Sequence, residues 1–241
     1  MDLQGLLDTR DLGKLSAADG HTVKSGLLLR SGALWNAPAA DVERLHNEYN
    51  LRFVVDQRGA DEIGEMPDPI DKLTGIRSVH IDVLSAITAG ISRGSKSKEI
   101  EWRLLSLDQN ARLDLLTKSY PHLLLDDAAI AGYRKFFQEL FSCTEGAVLW
   151  HCSLGRDRCG MVSMLVETAL GVPYADIEDD HLATAAYCPI AEVGDSGASL
   201  RSLPSAVFAL EKQYGSLRGY IHTALGISSD EIAALRVYYF I

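Results

Sequence analysis

The sequence predicts an α/β fold in which a central, mainly parallel sheet is flanked by helices. Short apolar runs bounded by glycine or polar residues, at 27–29, 51–56 and 146–150, are typical of buried strands. Longer segments with helical spacing lie between and after them, an alternation that produces a parallel sheet covered on its faces. The length of 241 residues suffices for one sizeable core, and no repeat or low-complexity tract divides the chain.

The first part of the chain is predicted to contain mostly turns and strands. Asp19-Gly20 is a hairpin signal. Pro38 suits the first turn of a helix, because its fixed φ angle is helical and it has no N–H to leave unpaired. Gly64 and Pro67 indicate a loop. The predicted elements, in order, are turns and short strands over 1–35, a helix over 38–49, a strand over 51–56, a loop over 62–75 and a strand over 79–83.

The second part is predicted to be helical around one buried strand, 146–150. The helix after this strand is apolar and is stopped by Gly171 and Pro173. Ser228-x-x-Glu231 is a capping box, so a last helix begins there. The other predicted helices lie over 160–170, 174–187, 204–214 and 216–225.

The segment 84–125 does not fit the strand and helix alternation. It begins with small residues and a basic run, Arg93, Lys96 and Lys98, and continues with a leucine-rich helical pattern. We predict a solvated face for the basic run; docking of an anionic substrate or a lipid head group is the alternative. The segment is predicted to be either a helical insertion beside the functional site, in the manner of a lid, or an extra helical pair packed on the domain.

The amino-acid composition limits the classes of function that this protein can have. The formal net charge of −10 argues against nucleic acid as a partner and leaves no polybasic patch for a membrane surface. No apolar run reaches about 18 residues, so no integral membrane contact is expected. The 4 cysteines have no zinc-site spacing, and we expect neither a metal nor a cofactor. The first residues lack the features of a signal peptide, so a cytoplasmic location is predicted, with secretion by a route without a cleaved signal left open.

The strongest functional signal is the loop between the strand at 146–150 and the helix that follows it. Cys152 and Arg158 are separated by five residues there. Backbone N–H groups and a helix N-terminus at such a junction can hold a tetrahedral oxyanion, and the same field favours a cysteine thiolate. The planar guanidinium of Arg158 could bind two oxygens of a phosphate, and Gly155 would let the backbone approach it. The spacing therefore predicts a thiolate enzyme acting on a phosphate monoester.

The motif His-Cys-Ser-Leu-Gly-Arg-Asp-Arg resembles the active-site loop of the cysteine-dependent protein tyrosine phosphatase superfamily. It is most similar to bacterial tyrosine/lipid phosphatases of triple specificity that carry His-Cys-x-x-Gly-Lys-Asp-Arg. Matches continue in order along nearly the whole chain, from Arg10-Asp11-Leu12-Gly13 through Arg30-Ser31, Asp56-Gln57-Arg58 and Asp61-Glu62 to the final helix near Glu231.

The resemblance implies one phosphatase domain over 1–241, with a protein tyrosine phosphatase-like sheet and 84–125 as an insertion or lid. It implies a phosphoric monoester hydrolase that forms a phosphocysteine on Cys152 and needs no metal or cofactor. The expected substrate is a protein that carries phosphotyrosine. Phosphoserine, phosphothreonine and phosphoinositides are further candidate substrates. A phosphatase-like module that binds phosphorylated ligands with little turnover is the alternative function.

The site residues follow from the loop and the resemblance together. Cys152 is expected to be the nucleophile and Arg158 to bind the phosphate, and Asp157, which matches the family's loop aspartate, is expected to be the general acid. Asp82, at a predicted strand end, is the alternative acid. The remaining loop residues are expected to bind the substrate, chiefly through their backbone N–H groups: Ser153, Leu154, Gly155 and Arg156.

Two positions depart from the family pattern. Arg156 stands where lysine is usual, which keeps a cation. Cys159 stands where threonine or serine is usual, and a thiol is a weaker hydrogen-bond donor than a hydroxyl. Either Cys159 fills a small site at the helix start, or its thiol slows hydrolysis of the intermediate or reacts with oxidised Cys152. His151 is predicted to orient the cysteine rather than to act as a base.

Overall fold

The computed structural model describes residues 1, 3, 5–69, 73–84, 106–188 and 201–241. Within them, five strands form one sheet with the order β1-β2-β5-β3-β4. β1 pairs antiparallel with β2, and the other neighbours pair in parallel. The strands are β1 Arg10–Asp11, β2 Leu28–Ser31, β3 Leu51–Asp56, β4 Arg77–His80 and β5 Ala147–His151. The predicted α/β class with a mainly parallel sheet is confirmed.

The helices follow the predicted segments closely. In the described residues they are α1 Ala39–Asn47, α2 Ala60–Glu65, α3 Gln109–Ser119, α4 His122–Leu125, α5 Asp127–Ser142, α6 Asp157–Leu170, α7 Tyr174–Tyr187, α8 Leu203–Tyr214, α9 Leu217–Thr223 and α10 Ser229–Tyr239. The capping box predicted at Ser228 is present, with the Glu231 amide donating to Ser228 Oγ and the Ser228 amide donating to the Glu231 carboxylate.

The prediction of a loop over 62–75 was wrong at its beginning, where α2 occupies Ala60–Glu65. The Glu62 carboxylate accepts the Gly59 N–H at 2.8 Å, so this side chain pairs a donor that the first turn would otherwise leave free. The segment 84–125 is described from residue 106 onward, where it contains α3 and α4. Arg93, Lys96 and Lys98 lie outside the described residues.

The sheet separates two apolar clusters. On one face, alternate strand residues such as Phe53, Val148 and Trp150 pack against the helices of the second half of the chain. On the other face, Leu29, Leu149 and their neighbours pack against α1 and the N-terminal segment. Every residue of α6, including the charged ones in its first turn, is buried. This helix is thus held on all sides, and the loop that precedes it is held with it. None of the helices in the described residues is long and apolar enough to span a membrane.

Candidate active site

The loop 152–156 connects the end of β5 to the start of α6, as the sequence predicted. β5 is the middle strand of the sheet, so the loop lies at the carboxyl edge of the sheet, where open α/β sheets bind ligands. Gly155 has a φ angle of +77°, and a Cβ atom there would lie 2.8 Å from both the Asp8 Cβ and the Ser31 carbonyl carbon. A residue with a side chain would therefore be strained at this position, because both the dihedral angle and the space disfavour it.

Cys152 is the first residue of this loop, and its surroundings favour the ionised thiolate. Its side chain is almost wholly buried. Burial by itself would raise its pKa, but a hydrogen bond from the Cys159 thiol, the positive charge of Arg158 and the Cys159 backbone N–H together lower the pKa to about 5. The thiolate is therefore the main form at neutral pH, as nucleophilic attack requires.

Arg158 lies in the first turn of α6 and is fixed by a bidentate ion pair. Its Nη1 donates to Glu62 Oε2 at 2.7 Å, and its Nη2 donates to Glu62 Oε1 at 3.0 Å. Nη1 also donates to the Gln57 carbonyl at 3.1 Å, and Nη2 donates to Ser153 Oγ at 3.2 Å. The Nε atom is buried without a hydrogen-bond partner among the described residues. One edge of the guanidinium is thus held by protein, and the Nε edge retains an unused donor.

Glu62 was not predicted as a site residue, although Asp61-Glu62 is one of the positions that match the family pattern. Burial would raise its pKa, but the hydrogen bonds and charge of Arg158 bring it to about 2. Its carboxylate also accepts a hydrogen bond from Ser153 Oγ. The signal available in the sequence was its position three residues after Gly59, at the start of a helix that directly follows β3.

Asp157 and Arg156 are paired with each other rather than free. The Arg156 Nε donates to Asp157 Oδ2 at 3.1 Å, and the Tyr120 hydroxyl donates to Asp157 Oδ1. All three side chains are buried. Tyr120 directly follows α3 and was not singled out in the sequence; nothing in its local pattern indicates that it reaches the loop. Asp157 therefore has a fixed orientation at the start of α6.

Asp82, the alternative acid, lies near the same edge of the sheet. Its side chain is exposed, and Oδ1 accepts the Leu84 N–H at 3.0 Å. A Cβ atom on Gly59 would lie 3.6 Å from Asp82 Oδ2 and 3.5 Å from Glu62 Oε2. The two carboxylates therefore flank the same glycine, one buried against Arg158 and one open to solvent.

Cys159 is fully buried in the first turn of α6. Its Sγ lies 3.7 Å from the Ser31 carbonyl oxygen and 3.9 Å from the Trp150 carbonyl oxygen. Burial raises the pKa of Cys159 and its hydrogen bond to the Cys152 thiolate raises it further, so Cys159 retains its proton. All four cysteines are free thiols.

One buried charge cluster supports the loop from the side of β3. We call it the β3-side network; it consists of Asp56, Arg58, Glu62, Asp68 and His151. Arg58 Nη2 lies 2.7 Å from Asp56 Oδ2 and 2.8 Å from Asp68 Oδ2. His151 Nε2 lies 3.2 Å from Asp68 Oδ2. Burial lowers the pKa of His151, but Asp56 and Asp68 raise it above its usual value on balance. His151 is thus held by two carboxylates at the end of β5, directly before Cys152, and its role in orienting the cysteine stays a prediction.

Three members of this network have metal-ligating side chains. The ligand atoms of Asp56, Asp68 and His151 lie within 4.8 Å of one another. Arg58 Nη2 already contacts an oxygen of each carboxylate, so the guanidinium supplies the positive charge that a cation would supply there.

A second buried cluster supports the loop from the N-terminal side. We call it the N-terminal network; it consists of Asp8, Arg10, Arg30 and Asp180. Arg30 Nη2 donates to the Gly155 carbonyl at 2.7 Å, and its Nη1 donates to Asp180 Oδ2 at 2.9 Å. Arg10 Nη1 donates to Asp8 Oδ1 at 2.6 Å. Burial raises the pKa of Asp8 to about 6, although Arg30 and Arg10 oppose the shift. This network binds the loop backbone and links it to β1, β2 and α7.

A buried thiolate and a clamped arginine in a strand–loop–helix junction define the class of cysteine-dependent phosphatases. The model of the tyrosine phosphatase family matches residues 1–240. A tyrosine-protein phosphatase of Nostoc commune is 32% identical, over 92% of this chain and 76% of the relative. A candidate tyrosine-protein phosphatase of Cupriavidus necator is 28% identical, over 96% of this chain and 85% of the relative. The chain therefore belongs to the tyrosine phosphatase family and is a phosphoric monoester hydrolase.

Two solved structures are similar to the chain at low sequence identity. TpbA of P. aeruginosa, solved in complex with pTyr, is 18% identical with a TM-score of 0.31, over 76% of this chain and 89% of the other. PTPMT1 is 15% identical with a TM-score of 0.35, over 79% and 96%. The family assignment rests on the sequence match.

Proposed function

We propose that this protein hydrolyses phosphotyrosine through a phosphocysteine intermediate on Cys152. The observation that carries the proposal is the juxtaposition of two groups: a thiolate whose pKa is about 5, and an arginine whose Nε is buried and unpaired within the described residues. A buried unpaired donor is costly unless a ligand uses it, and a phosphate oxygen would use it.

In the first step, the Cys152 sulfur attacks phosphorus, and the bond from phosphorus to the tyrosyl oxygen breaks. The N–H groups of 153–158 and Arg158 hold the nonbridging oxygens, and the helix N-terminus adds favourable potential. In the second step, water attacks phosphorus, the P–S bond breaks, and phosphate and the Cys152 thiolate are released. Cys159, which donates a hydrogen bond to the thiolate, stabilises it as the leaving group.

The leaving tyrosyl oxygen requires a proton. We assign the donor as Asp157, because Tyr120 and Arg156 fix its orientation beside the loop. Asp82 is the alternative, because it lies exposed at the same sheet edge. Loss of the alkaline limb of the rate profile in Asp157→Asn, with retention in Asp82→Asn, would support the first assignment; the reverse pattern would support Asp82.

We extend the proposal to the organisation of the chain. One phosphatase domain spans 1–241, and 84–125 is an insertion that contacts the site through Tyr120, between α3 and α4, whose hydroxyl donates to Asp157. A thiolate nucleophile among free thiols suits a reducing compartment, so we propose that the protein acts in the cytoplasm. Phosphoserine, phosphothreonine and phosphoinositides are secondary candidate substrates, because they present the same phosphate group.

The test is a panel assay of the full chain with p-nitrophenyl phosphate, a phosphotyrosine peptide, a phosphoserine peptide and phosphoinositide vesicles. We expect the highest kcat/KM on the phosphotyrosine peptide and no turnover by Cys152→Ser. Brief incubation with labelled substrate and acid quenching should yield protein-bound phosphate on Cys152. Tight vanadate binding by the wild type with no hydrolysis of any substrate would instead favour the alternative, a module that binds phosphorylated ligands.

A further inference from the structure

A cavity beside the loop is not used by the mechanism above. Its volume is about 280 Å³, and Ser153 and Leu154 of the loop form one of its walls. The other walls include Leu7, Ala33, Trp35 and Met66. We call this cavity the Trp35 groove. We propose that it binds an apolar side chain next to the phosphotyrosine of a peptide substrate. The proposal rests on the proposed phosphotyrosine hydrolysis and adds a specificity determinant to it.

The groove adjoins the loop that begins with Cys152, because Ser153 and Leu154 line it. Leu154 is two residues after Cys152, so their Cα atoms are at most about 7.6 Å apart, given about 3.8 Å between successive Cα atoms. The Ala33 N–H donates to the Ser153 carbonyl at 3.1 Å and thereby attaches the segment that carries Trp35 to the loop. Because an extended peptide advances about 3.3 Å per residue, a residue adjacent to the phosphotyrosine reaches the groove while the phosphate is at Cys152.

The electrostatics of the groove favour an uncharged occupant. Arg58 is the one cationic side chain among the described lining residues, and it is 1% exposed. It already contacts Asp56 and Asp68 at 2.7 and 2.8 Å and donates to the Met66 carbonyl at 2.7 Å. An acidic side chain or a second phosphate in the groove would lose its hydration without gaining a free cationic partner among the described lining residues. A multiply phosphorylated inositol head group therefore fits this part of the site worse than a peptide does.

Trp35 supplies the main apolar contact. Its side chain is 47% exposed, which is unusual for so large an apolar residue. The neighbouring Asn36 also lines the groove and is exposed, and its amide can both donate to and accept from a peptide backbone. At about 30 Å³ per water molecule, the groove has room for roughly nine waters, which a leucine or phenylalanine side chain would displace from apolar walls. Favourable transfer of that side chain from water is expected to raise kcat/KM about ten-fold.

The test compares Trp35→Ala with the wild type on two phosphotyrosine peptides, one with leucine and one with aspartate on both sides of the phosphotyrosine. The wild type is expected to prefer the leucine peptide about ten-fold in kcat/KM, and Trp35→Ala to reduce that preference to about two-fold. Phe208→Ala is the matched control, because Phe208 is also an exposed aromatic residue, at 70%, and does not line the groove. It should retain the preference.

p-Nitrophenyl phosphate separates failure of this proposal from failure of the proposed function. It has no flanking residues, so Trp35→Ala and the wild type should hydrolyse it equally. Equal rates of the wild type on the leucine and aspartate peptides, with normal hydrolysis of p-nitrophenyl phosphate, would overturn the groove proposal alone. A higher kcat/KM on vesicles of multiply phosphorylated phosphoinositide than on the leucine peptide would also overturn it. Absence of hydrolysis of every substrate would refute the phosphatase proposal itself.

Discussion

The loop is held between two buried charge networks that differ in what they bind. The N-terminal network reaches the loop backbone, since Arg30 donates to the Gly155 carbonyl at 2.7 Å. The β3-side network reaches a side chain instead, since Glu62 accepts both Nη groups of Arg158 at 2.7 and 3.0 Å. Burial raises the pKa of Asp8 to about 6, whereas strong arginine contacts lower the pKa of Glu62 to about 2.

Separate groups of residues therefore support the shape of the loop and the recognition of phosphate. A carboxylate with a pKa of about 2 remains charged at every pH at which the enzyme would act, so Arg158 keeps its orientation. The N-terminal network contacts no group that we assign to the phosphate and instead joins four elements far apart in sequence. Substitutions on the β3 side should therefore reduce activity, and substitutions on the N-terminal side should reduce stability. Substitutions of Arg158, Glu62 and Asp180 test this division, and two further predictions concern the thiols between the networks; the largest expected effect comes first.

Arg158→Lys should cause the largest loss on the β3 side. Lysine retains the charge but not the planar fork, so it cannot hold both Glu62 oxygens and a phosphate oxygen at once. We expect kcat/KM on p-nitrophenyl phosphate to fall by about 1,000-fold, comparable to the loss of an oxyanion-stabilising donor. The control is Arg236→Lys, whose side chain contacts Asp19 and the end of α6, away from the loop. A loss of less than ten-fold in Arg158→Lys would mean that its charge suffices.

The lowered pKa of Cys152 predicts a specific pH dependence. Because the pKa falls from about 9 to about 5, the thiolate is the main form above pH 5 and is lost as the pH falls below it. At pH 7 the reactive fraction should be about 100-fold higher than for an ordinary thiol. The rate of inactivation by iodoacetamide, measured from pH 4 to 9, should have its midpoint near 5. Cys152→Ser should remove the labelling at this position, and a midpoint near 8 in the wild type would contradict the prediction.

Glu62→Gln and Asp180→Asn compare the two networks directly, because each removes one charge and keeps the shape of the side chain. We expect Glu62→Gln to lower kcat/KM about 30-fold, since Arg158 loses its bidentate partner. We expect Asp180→Asn to lower the free energy of unfolding by about 2 kcal/mol, since buried Arg30 loses a carboxylate, and to change kcat/KM less than three-fold. Urea unfolding and steady-state kinetics measure both. Reversal of the two patterns would refute the division.

Cys159→Ser should have the smallest effect. Serine keeps a hydrogen-bond donor beneath Cys152 and donates more strongly than a thiol, so hydrolysis of the phosphocysteine should accelerate by a few fold. The same variant lacks a second thiol, so its recovery from peroxide on adding a reductant should be slower if Cys159 reacts with oxidised Cys152. Cys143→Ser is the control, because this half-buried cysteine lies after α5, away from the loop. An unchanged hydrolysis rate together with unchanged recovery would remove both hypotheses for Cys159.

Much of the fold could be predicted because its signals are local. The strand at 51–56, the helix at 174–187 and the capping box at Ser228 lie where the sequence placed them, since each depends on residues close together in the chain. The start of α2 was missed because Pro67 and Gly64 dominated the local pattern, whereas the Gly59 N–H donates to the Glu62 carboxylate and caps that helix. The partners of the loop could not be predicted in the same way.

The order of the amino acids was enough to predict the α/β class, the position of the loop with Cys152 and Arg158, and membership of the family. These follow from spacing along the chain, and a strand, a glycine turn and a helix start are each encoded within a few residues. Three contacts of the loop depend on the folded chain: Glu62 pairs with Arg158, Tyr120 donates to Asp157, and Arg30 donates to the Gly155 carbonyl. These contacts join residues 37 to 125 positions apart, and the packing of helices on a shared sheet edge brings them together, which no local pattern records.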